Sequence, residues 1–272
     1  MRMNNTIEKI AEEYGFSVKN DKKTFNGCEK ELLVFYKGDS NGAAFLESEL
    51  DKLSEEEIHS LIKNQVVPAF SALEEYSTEY FYERIRNGDI LLCLVNKEKN
   101  AKMLKDVPHR EFLDLAIVYR VVMDIPENFD GESTVLLDNK IVSNAGVTEQ
   151  ELFERGMNFL RKHKRVTDAI QKSLGEKAYL YPLPSHLFDY DNGMMSWGAA
   201  AMLLLPETET RGYVLPRSIH FVTLFTDERH IEALGNMVEL CNRDVAPEER
   251  LSNSVYRIKD GKIEIALQGR PL

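Results

Sequence analysis

The segment from Leu215 to Tyr256 constrains the fold most, because a loop, a strand, a helix and the start of a hairpin can be recognised in it. The run Ile219 to Thr226 is rich in β-branched and aromatic residues on both alternating faces, which predicts a central strand. Apolar residues then recur at helical spacing over residues 228–242. Asp260-Gly261, between two β-branched runs, predicts a two-residue hairpin turn. We therefore expect a strand–helix–hairpin unit in the C-terminal part of the chain.

Two further runs predict central strands. Asp89 to Asn96 contains six consecutive apolar residues between turn formers, and Phe112 to Met123 has apolar residues at every odd position. Capping boxes, Ser54 with Glu57 and Thr148 with Glu151, predict helix starts, and Pro68 interrupts the first of these helices. The predicted fold class is α+β, with a mixed β-sheet, helices packed on it and the C-terminal strand–helix–hairpin.

The polar segment Pro126 to Ser133 is the best candidate for a domain boundary, because it lies between two strand-like runs. It predicts an N-terminal α+β lobe over residues 1–125 and a C-terminal α+β lobe over residues 132–272. A chain of 272 residues is also compatible with one continuous domain, so both arrangements stay open.

Several blocks of the sequence resemble a known family. They are Leu-Pro-Arg-Ser-Ile-His at 215–220, Ala-Pro-Glu-Glu-Arg-Leu-Ser-Asn-Ser-Val-Tyr-Arg at 246–257, Phe-Leu-Asp-Leu-Ala-Ile-Val-Tyr-Arg-Val at 112–121, Gly-Ala-Ala-Ala at 198–201, and Asn242. On these blocks the chain resembles an uncharacterised bacterial family, domain-of-unknown-function family 5688. The family has no established activity, so the resemblance implies a fold neighbourhood and no catalytic residue.

Charge and hydropathy argue against two classes of partner. The formal net charge of −11 repels phosphate backbones and anionic membranes, so direct nucleic-acid binding is not expected. The longest apolar run, Gly198 to Leu205, is far shorter than the roughly 18 residues of a membrane-spanning helix.

Cys28, Cys93 and Cys241 lack any paired spacing, which argues against a disulfide framework and a zinc site. We expect a soluble protein in the reducing cytoplasm.

The sharpest catalytic hypothesis is a serine–histidine pair. Ser218 and His220 lie two residues apart in an extended segment and point the same way, so the imidazole could act as base for the hydroxyl. Asp114 is the acid that would orient the histidine. The alternative is that His220 is a core residue bonded to the backbone, which is the more frequent role of a histidine entering a central strand.

No motif in the sequence predicts a cofactor or a metal ion. The segment Gly38 to Gly42 matches the hydrolase pattern G-x-S-x-G, but its flanks predict a hairpin, in which the glycines serve the turn. No phosphate-binding loop, dinucleotide glycine motif or H-E-x-x-H motif occurs.

The leading functional hypothesis is a non-enzymatic cytoplasmic binding or regulatory protein, with another protein as its candidate partner. It rests on the lack of a self-consistent catalytic constellation and on the acidic charge. One alternative is a hydrolase-like enzyme that uses Ser218 and His220. The other is an acidic inhibitor that mimics nucleic acid.

Overall fold

The computed structural model describes residues 2–38, 40–46, 50, 52–75, 78–123, 134–163, 178–182, 203–205, 211–219, 221–225 and 230–272. The chain divides into two compact units, and the division falls between Phe81 and Tyr82. The predicted boundary segment, Pro126 to Ser133, lies outside the described residues, as do residues 198–201, His220 and Thr226.

The first unit contains a three-stranded antiparallel sheet and helices. Its elements are α1 (Arg2–Glu13), β1 (Ser17–Phe25), β2 (Cys28–Lys37), β3 (Ser40–Leu46), α2 (Glu55–Leu61) and α3 (Val67–Glu75). The strand order is β1-β2-β3. The predicted hairpin around Gly38 is confirmed, since β2 pairs antiparallel with β3 and Gly38 has φ 63°.

Pro68 interrupts the helical segment of the first unit, as the sequence predicts. Ile62–Val66 forms a π-helical turn between α2 and α3, and the amide of Val67 donates to the Ile62 carbonyl. A proline lacks an amide hydrogen and its ring clashes with the carbonyl four residues earlier, so the wider turn accommodates it. Ile62 and Val66 stay buried in a core shared with α1 and β2.

The second unit contains two further antiparallel sheets. The elements after α3 are α4 (Thr78–Asn87), β4 (Ile90–Asn96), β5 (His109–Phe112), β6 (Leu115–Val122), β7 (Thr134–Leu136), α5 (Asn139–Ala145), α6 (Glu149–His163), β8 (Ala178–Pro182), β9 (Gly212–Leu215), β10 (Phe221–Phe225), α7 (Ile231–Asn242), β11 (Val255–Lys259) and β12 (Lys262–Leu267). One sheet has the order β4-β6-β5 with β7 also paired to β6, and the other has the order β12-β11-β9-β10-β8. The α+β class is confirmed, and every described ladder is antiparallel.

The C-terminal strand–helix–hairpin is confirmed in β10, α7 and the β11–β12 pair. Asp260 and Gly261 have φ 52° and 70°, the left-handed conformation that a tight hairpin turn requires. The strand of the strand–helix–hairpin, β10, begins at Phe221 and belongs to a different sheet from β4 and β6. The three strands expected to be central therefore do not share one sheet.

The predicted single strand from Phe112 to Met123 is wrong. The segment His109 to Val122 folds back on itself as the β5–β6 hairpin, in which Phe112 pairs with Leu115. Leu113 turns the chain with φ 57°, which is uncommon for a bulky side chain. Asp114 therefore lies in a tight turn rather than on the face of a strand.

Candidate functional site

Three hydroxyl groups converge on the carboxylate of Asp114. Ser252 Oγ and Ser254 Oγ donate to Asp114 Oδ2 at 2.5 and 2.8 Å, and the Tyr256 hydroxyl donates to Asp114 Oδ1. Asp114 is half-buried, whereas Ser252, Ser254 and Tyr256 are almost fully buried. The carboxylate is thus held in one orientation by donors from a segment about 140 residues later in the chain.

Alternation along the chain places the three hydroxyls on one side. Ser252, Ser254 and Tyr256 are two residues apart, in the loop before β11 and at the start of that strand, and all three hydroxyls reach the same carboxylate. The intervening residues point away, and Val255 is fully buried.

Both serine hydroxyls use their hydrogen-bonding capacity within this group. Ser252 Oγ accepts from the Ser254 amide at 2.9 Å, and Ser254 Oγ accepts from the Gly269 amide at 3.0 Å and from Gln268 Nε2 at 3.3 Å. A hydroxyl has one donor and two acceptor positions, so Ser254 is saturated. The serines therefore fix the carboxylate and the segment after β12.

Two buried asparagines hold the loop before β11. Asn96 Nδ2 donates to the Leu251 carbonyl at 2.8 Å, and Asn242 Nδ2 donates to the Ser252 carbonyl and to Asn253 Oδ1 at 3.0 and 2.8 Å. Both asparagines are more than nine-tenths buried. Because buried amide groups are costly to leave unpaired, these bonds define the path of the loop.

Burial and the neighbouring carboxylate hold the Tyr256 hydroxyl in its protonated form. Desolvation raises the pKa of Tyr256 well above its ordinary value, and the negative charge of Asp114 raises the pKa further. Tyr256 therefore acts as a hydrogen-bond donor at physiological pH.

A cleft of about 400 Å³ adjoins Asp114. Its walls come from the loop after β4, the β5–β6 turn, the loop before β11 and the segment after β12, and the lining residues are Asn96, Lys97, Glu98, Ala101, Leu113, Asp114, Ser252, Asn253, Gln268, Gly269, Arg270, Pro271 and Leu272. This volume lies in the range that accommodates small organic molecules.

The charged groups of the cleft differ in how far they are already paired. Lys97 Nζ forms an ion pair with Glu111 Oε1 at 2.7 Å, and that bond lowers the pKa of Glu111. The side chain of Arg270 is 86% exposed, and its Nε lies 3.7 Å from Glu239 Oε1. The carboxylate of Glu98 forms no ion pair with any cation in the described part of the chain.

Comparison with protein families gives one match. The model of a family of unknown function, DUF5688, matches residues 2–259. The chain belongs to the DUF5688 family. No curated protein and no solved structure matches it. The resemblance of the sequence blocks at 112–121 and 246–257 is confirmed, and these blocks hold Asp114 and its three hydroxyl donors.

The DUF5688 chain places the sequence-predicted catalytic residues as follows. Asp114 lines the cleft, and its carboxylate accepts from Ser252, Ser254 and Tyr256. Ser218 is 1% exposed and forms a β-bridge with Arg250. His220 lies outside the described residues, so the Ser218–His220 pairing stays a prediction.

Sequence reasoning missed the donors of Asp114. The signal that points to them is the alternation Ser-Asn-Ser-Val-Tyr at 252–256, which places three hydroxyls on one face directly before a strand. It identifies a polar face, but it does not identify the carboxylate that the face binds.

A second polar group of the DUF5688 chain joins α6 to the β5–β6 hairpin. Arg110 donates two hydrogen bonds to Glu149, at 3.2 and 2.8 Å, and its guanidinium carbon lies 3.8 Å from the centre of the Phe153 ring. The Tyr119 hydroxyl also donates to Glu149, and burial, followed by that bond, raises the pKa of Tyr119. Tyr119 is fully buried, and the group anchors the start of α6.

No group of three or more histidine, cysteine, aspartate or glutamate side chains in the described ranges is arranged to hold a metal ion. Every helix in the described ranges is too short or too polar to cross a lipid bilayer.

Proposed function

We propose that this DUF5688 member is a non-enzymatic binding protein whose ligand site is the cleft beside Asp114. The observation that supports this most is the convergence of three hydroxyl donors on one carboxylate in the wall of a 400 Å³ cleft. Such an arrangement fixes an acceptor before a ligand arrives, which reduces the ordering cost of binding.

The same contacts favour binding over catalysis by these serines. A serine nucleophile needs an adjacent base such as an imidazole to remove its proton. Among the described imidazoles, His59 contacts Tyr14, His109 contacts the Val107 carbonyl, and His230 is exposed at the start of α7. Within the described residues, therefore, neither Ser252 nor Ser254 has a histidine partner.

The proposal includes a cytoplasmic location. The three cysteines, Cys28, Cys93 and Cys241, are free thiols, and free thiols are typical of reducing compartments. The hydrolase-like alternative with Ser218 and His220 and the acidic-inhibitor alternative stay predictions.

A panel of small molecules sorted by chemical class tests the proposal. Native mass spectrometry of the full chain with organic amines, carboxylates, sugars and nucleotides should detect at least one class that binds and is recovered unchanged. Ala101→Trp places a large ring in the cleft and should abolish binding. Ala233→Trp, on the exposed face of α7, is the matched control and should retain it.

Three outcomes overturn the proposal. They are no binding by any class, binding that Ala101→Trp leaves unchanged, and turnover of a panel member that Ser218→Ala or His220→Ala abolishes in a folded protein. The last of these would favour the hydrolase-like alternative.

A further inference from the structure

We infer that the ligand of the Asp114 cleft is an organic cation with a primary ammonium or guanidinium group. This inference rests on the proposed binding function and names the chemical class that the site takes.

Asp114, which lines the cleft, has one acceptor position that no described residue fills. A carboxylate offers about four lone-pair positions, two on each oxygen. Asp114 Oδ2 accepts from both serines, whereas Oδ1 accepts from the Tyr256 hydroxyl alone. A ligand that donates an N–H to Oδ1 would complete the set with a charge-assisted hydrogen bond.

The groups around Asp114 leave its negative charge uncompensated. All three of its partners are neutral hydroxyls, and burial keeps the Tyr256 hydroxyl protonated. The lining holds two cations: Lys97 is paired with Glu111 at 2.7 Å, and Arg270 lies 3.7 Å from Glu239 Oε1. A cation in the cleft would supply the counter-charge that the described residues do not direct at Asp114.

Glu98 adds a second negative charge to the same wall. Its neighbour Lys97 donates its backbone amide to the Asp114 carbonyl at 3.2 Å, which holds this loop against the turn. The Glu98 carboxylate is exposed and forms no ion pair with a described cation. Both carboxylates repel a ligand with a negative charge, and a cation gains a charge–charge attraction to them that a neutral ligand lacks.

The serine hydroxyls contribute orientation rather than direct recognition. Ser254 Oγ is saturated, and Ser252 Oγ already donates to Asp114 and accepts from an amide. Recognition by charge therefore fits the contacts better than recognition by neutral hydrogen bonds.

Isothermal titration calorimetry of the full chain tests the inference with four probes of similar length. Agmatine and putrescine carry the predicted cationic groups, 1,4-butanediol is neutral and succinate is anionic. Agmatine and putrescine should bind, more weakly as salt concentration rises, and the other two should not bind.

Matched variants distinguish a direct contact between the ligand and the cleft from the effect of the protein's net charge on binding. Glu98→Lys and Glu232→Lys change the net charge equally, but Glu232 lies on the exposed face of α7 and is no part of the cleft. Glu98→Lys should weaken agmatine binding at least about fivefold, and Glu232→Lys should leave it within about twofold. Asp114→Asn should abolish binding, with circular dichroism reporting whether its fold survives.

The outcomes distinguish this inference from the proposed function. If succinate or butanediol binds and Ala101→Trp abolishes that binding, the cleft is a binding site but the cationic assignment is wrong. Equal weakening by Glu98→Lys and Glu232→Lys overturns it as well. If neither these probes nor any class of the panel binds, both proposals fail.

Discussion

The Tyr256 hydroxyl donates a hydrogen bond to Asp114 Oδ1 and so joins the start of β11 to the β5–β6 turn, 142 residues earlier in the chain. Tyr256 is fully buried, and its ring packs in the second unit while its hydroxyl reaches the carboxylate. Tyr256→Phe removes only the hydroxyl. We expect it to lower the free energy of unfolding by about 1.5–3 kcal/mol, the usual contribution of a hydrogen bond to a charged group.

Urea denaturation of Tyr256→Phe measures this cost. Ser254→Ala removes a donor from the other oxygen of Asp114, and the two losses should not add, because both act on one carboxylate. A Tyr256→Phe protein as stable as the parent would show that the bond contributes nothing to folding.

Alkaline pH should destabilise the protein through its buried tyrosines. Burial raises the pKa of Tyr119 and of Tyr256, so the folded state retains protons that the unfolded state has lost above about pH 10. Their contribution is therefore complete below about pH 10 and declines as the pH rises further. Chemical denaturation from pH 8 to 11 should show a steeper loss for the parent than for Tyr119→Phe/Tyr256→Phe. Equal slopes would contradict the assignment to these two residues.

Gly156 allows α6 to pack directly on β4. A Cβ added at Gly156 would lie 2.3 Å from Leu92 Cδ2 and 2.6 Å from Leu92 Cγ, and Leu92 is fully buried. Gly156→Ala gains about 1 kcal/mol of helix propensity but incurs about 1–3 kcal/mol of overpacking. We expect a net loss of stability in urea denaturation.

Gly235→Ala in α7 is the matched control for this prediction. Its added Cβ would meet only the end of the partly buried Leu267 side chain, at 2.7 Å. It should cost less than Gly156→Ala. In a Leu92→Ala background, Gly156→Ala should become neutral or stabilising, and an unchanged loss there would rule out the Leu92 contact as its cause.

Local signals made the C-terminal part of the fold predictable. The Asp260-Gly261 turn and the apolar spacing of α7 depend on residues close in sequence, and both are confirmed. The β5–β6 hairpin was missed because apolar alternation runs through Leu113 without a glycine or proline. Leu113 adopts φ 57°, a conformation that no propensity assigns to leucine, so only tertiary contacts determine this turn.

The candidate site was predictable only in part for the same reason. The sequence predicts Asp114 as the acid that would orient His220, whereas the donors that the structure places on it lie 138–142 residues away. No sequence period links residues at such a separation. The antiparallel arrangement of the sheets could likewise not be predicted from the sequence. A fully buried antiparallel strand such as β4 has the same continuous apolar run as a parallel strand.

Gly269 brings the segment after β12 against the loop that holds Ser254. A Cβ at this position would lie 2.2 Å from both the carbonyl carbon and oxygen of Asn253 and 2.5 Å from the Ser254 amide nitrogen. These are backbone atoms in a loop fixed by Asn242, so the segment after β12 would have to move instead. The requirement for glycine comes from this close approach and not from the backbone conformation, because Gly269 does not have a positive φ.

Gly269→Ala should therefore open one wall of the cleft while the rest of the second unit stays folded. The bond from the amide of residue 269 to Ser254 Oγ, 3.0 Å in the parent, should break, so hydrogen exchange of that amide should accelerate at least about tenfold. Gln268→Ala is the control, because it removes a longer bond to the same oxygen, 3.3 Å, without moving the backbone. Slow exchange at residue 269 in both variants would show that the segment tolerates a methyl group and that Gly269 does not set the wall. Fast exchange in Gly269→Ala alone would identify backbone contact between residues 253 and 269 as the feature that closes this side of the cleft.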